Sequence, residues 1–455
     1  MKKIFLTLIA ALLLFSCSQS NKIYSTQSVN NGGVVINEYR LENDIPVYIA
    51  DKVSNDVCAV YVLFEGGTRL STYEYSGLED ATLEYMLCGT DDITYSKLQS
   101  IMYQNQSSFS HYTMYCGSVC SLSCINYYLD DMLDIFLDSI TSVSYDIANK
   151  DDYLGNILRD KEQKITRMQN DPQSILFHDI HKRVYDGTSY LASSSVQPES
   201  IENITIENFE KMHEELLNSK RIKVVAVGKI NKKKFLKKLN GTLGKLAGEE
   251  IPPVNKNEKL NLSDEKITLT HKAARGSEIA VRVFEAPKVT SPDYITARLT
   301  EDIFTTTMFN IIREKYGACY SPGTQIDSSD LAVGLDYGLR VSDMKNFSKY
   351  LAECQTLMLE GRVISSVDGG QTTYDTIENV LEGTKNAYIT KKYMSQASTS
   401  GIASRLAASL LQFGDLTSAD AMMQKVESVS ASDIESCFKK YWVDGKSQWF
   451  EMRGE

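Results

Sequence analysis

Histidine, proline and positive charge are all in short supply in this chain of 455 residues. Five histidines (His111, His178, His181, His213 and His271) leave little choice for chemistry that needs imidazole. No Ser/His/Asp or Cys/His arrangement with a recognisable local motif surrounds them, and no glycine-rich loop is built to cradle phosphate. Eight prolines and no low-complexity tract point away from an extended or disordered architecture. The 48 Lys and Arg set against 59 Asp and Glu leave a net charge of −11, which argues against a nucleic-acid partner. The one basic run, KINKKKFLKKLNGTLGK from Lys229, is short and reads as a solvated helix face.

What is present suits a globular protein: 42% apolar and 24% charged residues, in a chain long enough for two or more domains with sizeable cores. The N-terminus has its own pattern. Met1-Lys2-Lys3 leads into an apolar stretch over 4–15 that is too short to cross a bilayer as a helix. It meets Leu14-Phe15-Ser16-Cys17, after which the chain turns polar. A basic start, an apolar run and a small residue before the cut predict a signal peptide over 1–16. A cysteine at the cut resembles a bacterial lipoprotein box. It implies acylation of Cys17, a lipid anchor to the cell envelope and a tether over 17–33. No other segment is apolar and long enough to span a membrane.

Eight further cysteines have spacings that name no disulfide framework. Cys116, Cys120 and Cys124 fall in SHYTMYCGSVCSLSC, which reads as one strand. A four-residue step there covers about 13 Å along one face, too far for a shared metal ion. They are expected to be small core residues.

Strands are expected at YRLENDIPVYIADK and VCAVYVLFEGG, and helices over 77–88, 96–105 and through INYYLDDMLDIFLDSI. A charged helix over 147–169 should stop at Asn170-Asp171-Pro172, with another helix after it. Thr205 reads as a helix cap and RIKVVAVGKI as a short buried strand. GEEIPPVNKNEKLNLSDE, over 248–265, is polar, holds two prolines and predicts a linker. Beyond it the strand-helix-strand-helix order repeats, which suggests an internal duplication.

Several segments then line up in order: NDIPVYIADK, EGGTR (65–69), GL…GT in GLEDATLEYMLCGT (77–90), NDP (170–172), VVAVGKI and IIREKYGACYS (311–321). Together they resemble the pitrilysin/insulinase (M16) family of zinc metallopeptidases, in its short M16B-type form, from about Val34 to the C-terminus. The resemblance implies an α+β fold of two homologous M16-like (LuxS/MPP-like metallohydrolase) domains, each an antiparallel-rich sheet covered by helices. The domains would cover 34–247 and 266–455, joined by the linker.

The family's zinc motif, His-x-x-Glu-His with a downstream glutamate, uses two imidazoles one helical turn apart and a general base. Here its frame survives without its working residues. The first histidine falls on Asp80, the glutamate on Leu83, the second histidine on Glu84, and the downstream ligand near Lys164 when counted back from Asp171-Pro172. Glu162 lies two residues off that count. Two single carboxylates make a poor cation site and leucine is no base, so neither a catalytic residue nor a bound metal is expected. His178 and His181, three apart on a helix, lack a motif glutamate and read as a surface or partly buried helix pair.

The second half keeps more. Arg313 and Tyr320 stand in the family's arginine–tyrosine pattern, with Glu314, Lys315 and Ser321 in register. The resemblance implies that Arg313 grips a substrate carbonyl or carboxylate and that Tyr320 stabilises a developing oxyanion. Tyr112 and Thr113 match the family's substrate-binding edge strand, while Ser110 and His111 replace its first two positions. This pattern implies a non-catalytic subunit that completes the site of a zinc-bearing M16 partner on a peptide substrate, with the zinc held by that partner. A stand-alone peptide-binding lipoprotein is the alternative. An active metallopeptidase with a divergent metal site is a third.

Overall fold

The computed structural model describes residues 24–31, 34–51, 55–145, 153–255, 257–369, 371–395 and 397–455. The signal peptide expected over 1–16 and Cys17 lie outside them. The chain opens with strands β1 (Tyr24–Asn31), β2 (Val34–Arg40), β3 (Pro46–Asp51) and β4 (Val57–Glu65). Helices α1 (Leu78–Met86) and α2 (Tyr95–Gln104) lead to a hairpin of β5 (Ser108–Thr113) and β6 (Gly117–Ile125). Then come α3 (Leu129–Thr141), α4 (Tyr153–Asn170), α5 (Pro172–Val184), α6 (Ile206–Leu216), β7 (Ile222–Gly228) and α7 (Lys232–Gly241).

The second half begins with β8 (Ile267–Thr270), β9 (Glu278–Glu285) and α8 (Tyr294–Met308), whose end widens into π-helical turns over Phe309–Lys315. It continues through β10 (Cys319–Ile326), β11 (Val333–Val341), α9 (Met344–Leu359) and the ribbon β12 (Arg362–Asp368) and β13 (Gln371–Thr376). Helices α10 (Ile377–Ser395), α11 (Thr399–Phe413), α12 (Ser418–Gln424) and α13 (Ala431–Phe438) precede the last strand, β14 (Ser447–Arg453).

Local chemistry sets several of these boundaries. Asp171 accepts from the Ser174 N–H at 2.8 Å with Pro172 in the first turn of α5, and Thr205 accepts from Asn208 N–H at 3.2 Å to start α6. The first sheet runs β1-β2-β3-β7-β4-β6-β5 and the second β10-β11-β9-β14-β8. In each, one pair is parallel, β3 with β7 and β8 with β14, and the other neighbours are antiparallel. From the parallel pair outward the orders are β3-β7-β4-β6-β5 and β8-β14-β9-β11-β10. The same topology occurs twice.

Both faces of each sheet are buried, which is why their central strands read as continuous apolar runs. Along β4, Val60, Val62 and Phe64 face one core, packed under α1, α3, α6 and α7. Ala59, Tyr61 and Leu63 face another, covered by Ile402, Leu406 and Leu410 of α11 from the second half. The exchange is reciprocal. Leu176, Ile180 and Val184 of α5, from the first half, cover Val281, Val283 and Met452 on the second sheet. Each half thus lends one helix to the other's sheet.

Three expectations change. Tyr24–Asn31, inside the span expected to be a tether, forms an edge strand paired with β2. SHYTMYCGSVCSLSC is a hairpin rather than one strand: Met114 N–H donates to Gly117 O at 2.9 Å, so Cys116 lies in the turn and Cys120 and Cys124 point into the first core. All eight described cysteines are free thiols. Strands β8, β10 and β14 were not anticipated. β10 (CYSPGTQI) carries a proline and a glycine, β8 is only four residues long, and the pairing of β8 and β14 comes from tertiary context.

Candidate functional site

Helix α1 sits in the frame that resembles a zinc-peptidase motif, and backbone geometry explains why the frame persists. Gly77, before the helix, has φ +78°, and a Cβ there would lie 2.4 Å from Val196 N. Gly89, after it, has φ +123°, and a Cβ would lie 2.4 Å from Ile93 O. Both glycines are required by close backbone approach, whatever the helix carries.

The helix presents its carboxylates to a lysine. Lys161 of α4, with a side chain only 8% exposed, places Nζ 3.0 Å from Glu84 Oε2 and 3.7 Å from Asp80 Oδ2. His111 of β5 approaches Asp80 from the other side at 3.8 Å. Burial pushes the His111 imidazole below its usual range, against the pull of Asp80 and Glu84. Leu83 points the opposite way, fully buried in the first core.

These residues do not fit a zinc ion. The ammonium of Lys161 already bridges the two carboxylates, the motif's base position is a core leucine, and among the described residues no group of three or more His, Cys, Asp or Glu side chains is placed to hold a metal. The counted position needs a correction too. The side chain that reaches Asp80 and Glu84 is Lys161, whereas Lys164, one turn further on, is exposed at the rim of a neighbouring cavity, and Glu162 is exposed. Counting from Asp171-Pro172 ignored helix phase. The buried positions of α4 are Ile157 and Lys161, four apart, and a lysine continuing an apolar stripe was the signal available in the sequence.

Beneath the cluster lies a second charge pair that sequence reasoning missed. Glu79 is buried and receives hydrogen bonds from Ser118 Oγ and, at 3.4 Å, from Arg221. Burial pushes the Glu79 carboxyl upward while Arg221 and Ser118 oppose it. Arg221 also donates to the carbonyls of Glu65 (2.7 Å) and Glu215 (3.1 Å), so the pair ties α1 to the sheet. His178 and His181 are tied to the protein as well. His178 Nδ1 pairs with Gln197 Oε1 at 3.0 Å and His181 Nε2 with Leu191 O at 2.9 Å.

The arginine–tyrosine segment is arranged differently. Arg313 lies in the π-helical turns and donates from its guanidinium to Tyr320 O at 3.1 Å, with the same group 4.7 Å from the Tyr320 ring centroid. Arg340, not singled out from sequence, lies 5.4 Å from that ring on a backbone with φ +58°. Tyr320 is 56% exposed between these two guanidiniums, and the Arg313 side chain is 37% exposed. Arg313 and Tyr320 are together and open to solvent. Among the described residues, no hydrogen bond, ion pair or ring contact joins them to the Asp80–Lys161 cluster.

The edge strands β5 and β10 are counterparts in the two halves, yet their free edges differ. On β10, Thr324 N–H donates to Thr305 Oγ1 (3.3 Å), and Thr305 Oγ1 donates back to Thr324 O (3.1 Å). Ile326 N–H is taken by Glu301 (3.3 Å), Tyr320 O by Arg313, and Pro322 has no N–H. That edge is sealed. On β5, among the described residues, the one side-chain bond to the strand backbone comes from its own partner β6, Ser121 Oγ to Ser110 O at 3.4 Å. Aligning Glu79-Asp80 with Glu301-Asp302 puts Leu83 where α8 has Thr305, and leucine cannot cap a strand. The side chains of Tyr112 and Thr113 point away from the edge: Tyr112 packs towards α11, and Thr113 is buried with its Oγ1 3.1 Å from Ser118 Oγ. What β5 offers a ligand is its backbone.

Residues 203–349 match the family described as "Peptidase M16 inactive domain". No curated protein matches the chain. Among solved structures, a peptidase M16 inactive domain from Pseudomonas fluorescens superposes with a TM-score of 0.77 at 14% identity, covering 92% of this chain and 98% of that one. A protease from Helicobacter pylori gives 0.77 at 16% identity, with 91% and 98% covered. The periplasmic protease PqqL from Escherichia coli gives 0.75 at 13% identity; all of this chain is covered, but it spans only 49% of that protein. At such identities the likeness establishes the fold.

Proposed function

We propose that this chain is a non-catalytic member of the M16 peptidase family that holds an extended peptide for a zinc-bearing partner chain of the same family, a reading supported by the family match over residues 203–349 and by the shared fold. One contrast carries the reading: Lys161 fills the place between Asp80 and Glu84 beside a base position that is leucine, while Arg313 and Tyr320 stand exposed. A lysine bridge neutralises the carboxylates and leaves nothing there to activate water. Arg313 keeps donors beyond those facing Tyr320 O and Glu314, which lies 3.2 Å from its Nε, enough to take a carbonyl or carboxylate of a peptide. Tyr320, exposed and with two guanidiniums near its ring, carries a hydroxyl that suits a developing negative charge. The peptide would lie along β5, the unsealed edge, by adding a strand. In this reading zinc belongs to the partner, and Cys17 carries a lipid that holds the assembly on the cell envelope.

The test is reconstitution. Co-purification from native membranes should bring down an M16 chain with an intact His-x-x-Glu-His motif, and the pair should hydrolyse peptides. Arg313→Ala should cut that hydrolysis by about tenfold to a hundredfold while the pair still assembles, the size expected when a charged contact to the reacting group is lost. Unchanged hydrolysis in the assembled variant would remove Arg313 from the account. The open edge of β5 needs no partner and favours one second reading, a stand-alone peptide-binding lipoprotein. It predicts peptide binding with no M16 chain recovered from the membrane. Either way, Cys17→Ser should abolish incorporation of labelled fatty acid.

A further inference from the structure

Between α4, α5 and the loop over 193–197 lies a cavity of about 480 Å³, a size usual for ligand sites. Asp80 lines it and also faces His111 on β5, so the cavity opens beside the unsealed strand edge. Its charge runs against that of the molecule. The chain is net −11, yet the cavity wall carries Lys161, Lys164 and Arg167.

Local ion pairs account for the acids nearby. Asp80 and Glu84 are held by Lys161, and Glu199 by Lys182 at 2.7 Å. Asp171 is spent on the N-terminus of α5. His178 is bonded to Gln197 and lies 3.9 Å from Glu199, and burial lowers the pKa of His181. Lys164 and Arg167 remain. Their side chains form no hydrogen bond or ion pair among the described residues, and both stand at the cavity rim. Ser195 adds a hydroxyl to the same wall.

We propose that this cavity is an anion subsite that takes a carboxylate of the bound peptide, with Lys164 and Arg167 as its recognition groups. The inference rests on the peptide-binding reading above and gives it a substrate class: peptides with an acidic side chain, or a free C-terminal carboxylate, within reach of β5. Arg167 can meet a carboxylate with two parallel N–H donors, and Lys164 adds a point charge. The ligand's carboxylate is thereby paired on both sides rather than left against Asp80.

The test uses the full chain and three short extended peptides of one sequence, followed by fluorescence anisotropy. One has a central glutamate and an amidated end, its twin has glutamine there, and the third is the glutamine peptide with a free C-terminal carboxylate. The glutamate peptide or the free acid should bind about tenfold tighter than the amidated glutamine twin, and which one does so identifies the source of the carboxylate. The advantage should shrink with added salt. The double variant Lys164→Gln/Arg167→Gln should erase it without changing the affinity of the neutral twin. Both residues are exposed, so its thermal melt should match the parent and exclude misfolding. Equal binding of all three peptides to the parent, or equal weakening of all three in the variant, would overturn the subsite and leave peptide binding standing. Binding of none of them to the parent would instead sink the peptide-binding reading, and the subsite with it.

Discussion

Lys161 decides what the degenerate helix can be. A buried ammonium between two carboxylates stabilises only while all three are present. Lys161→Met should therefore destabilise the protein by about 3 kcal/mol, the low end of the cost of breaking a buried pair, because Asp80 and Glu84 keep some solvent. Urea titrations would measure it; a variant as stable as the parent would contradict the bridge. Asp327 gives a second residue-scale outcome. It sits where the halves meet, accepting from Tyr185, just past the end of α5, at 3.4 Å and from Ser329 at 2.9 Å, and burial pushes its pKa up to about 6. A raised carboxylate pKa means the folded state holds the proton longer, so its stabilising contribution is full below about pH 4 and is lost as pH rises through about 6. Asp327→Asn should flatten that fall in melting temperature; an unchanged slope would show that Asp327 does not titrate there.

The element scale shows which parts of this were legible in sequence. Helix α1, the Asp171-Pro172 stop and the Thr205 cap could be read because their signals are local: a run of apolar spacing, a proline, a side-chain acceptor. The Arg313–Tyr320 juxtaposition was legible as a motif, while Arg340 was not, since nothing near it in sequence says that it will flank Tyr320. Lys161 was displaced by three positions because a count along the chain carries no helix phase. The sealing of β10 was out of reach because it depends on Thr305 meeting Thr324 across tertiary structure. It can be tested. Thr305→Val removes the partner of two buried backbone groups and should cost about 1–3 kcal/mol in a thermal or urea melt. A neutral outcome would mean that the β10 edge is not held by this hydroxyl.

At the scale of the molecule, the duplicated topology and the exchanged helices belong together. Sequence order suggested the duplication, but not that α11 would cover the first sheet and α5 the second, because both helices are amphipathic segments with no mark of their destination. The consequence is that neither half is self-sufficient. A chain ending at residue 247 would expose Tyr61, Leu63, Val225 and Val227, a contiguous apolar face. Each half expressed alone should aggregate, and the two co-expressed should elute together on size exclusion; a soluble monomeric first half would contradict the exchange.

In the proposed reading this interlocked body offers a grip and an open strand edge to a peptide but, among the described residues, no zinc site to activate water, and that claim is tested most directly on the purified chain alone. Supplied with zinc and assayed against a broad peptide mixture, it should hydrolyse nothing and retain no stoichiometric zinc after dialysis. Hydrolysis that a chelator abolishes and zinc restores would contradict the account at its centre.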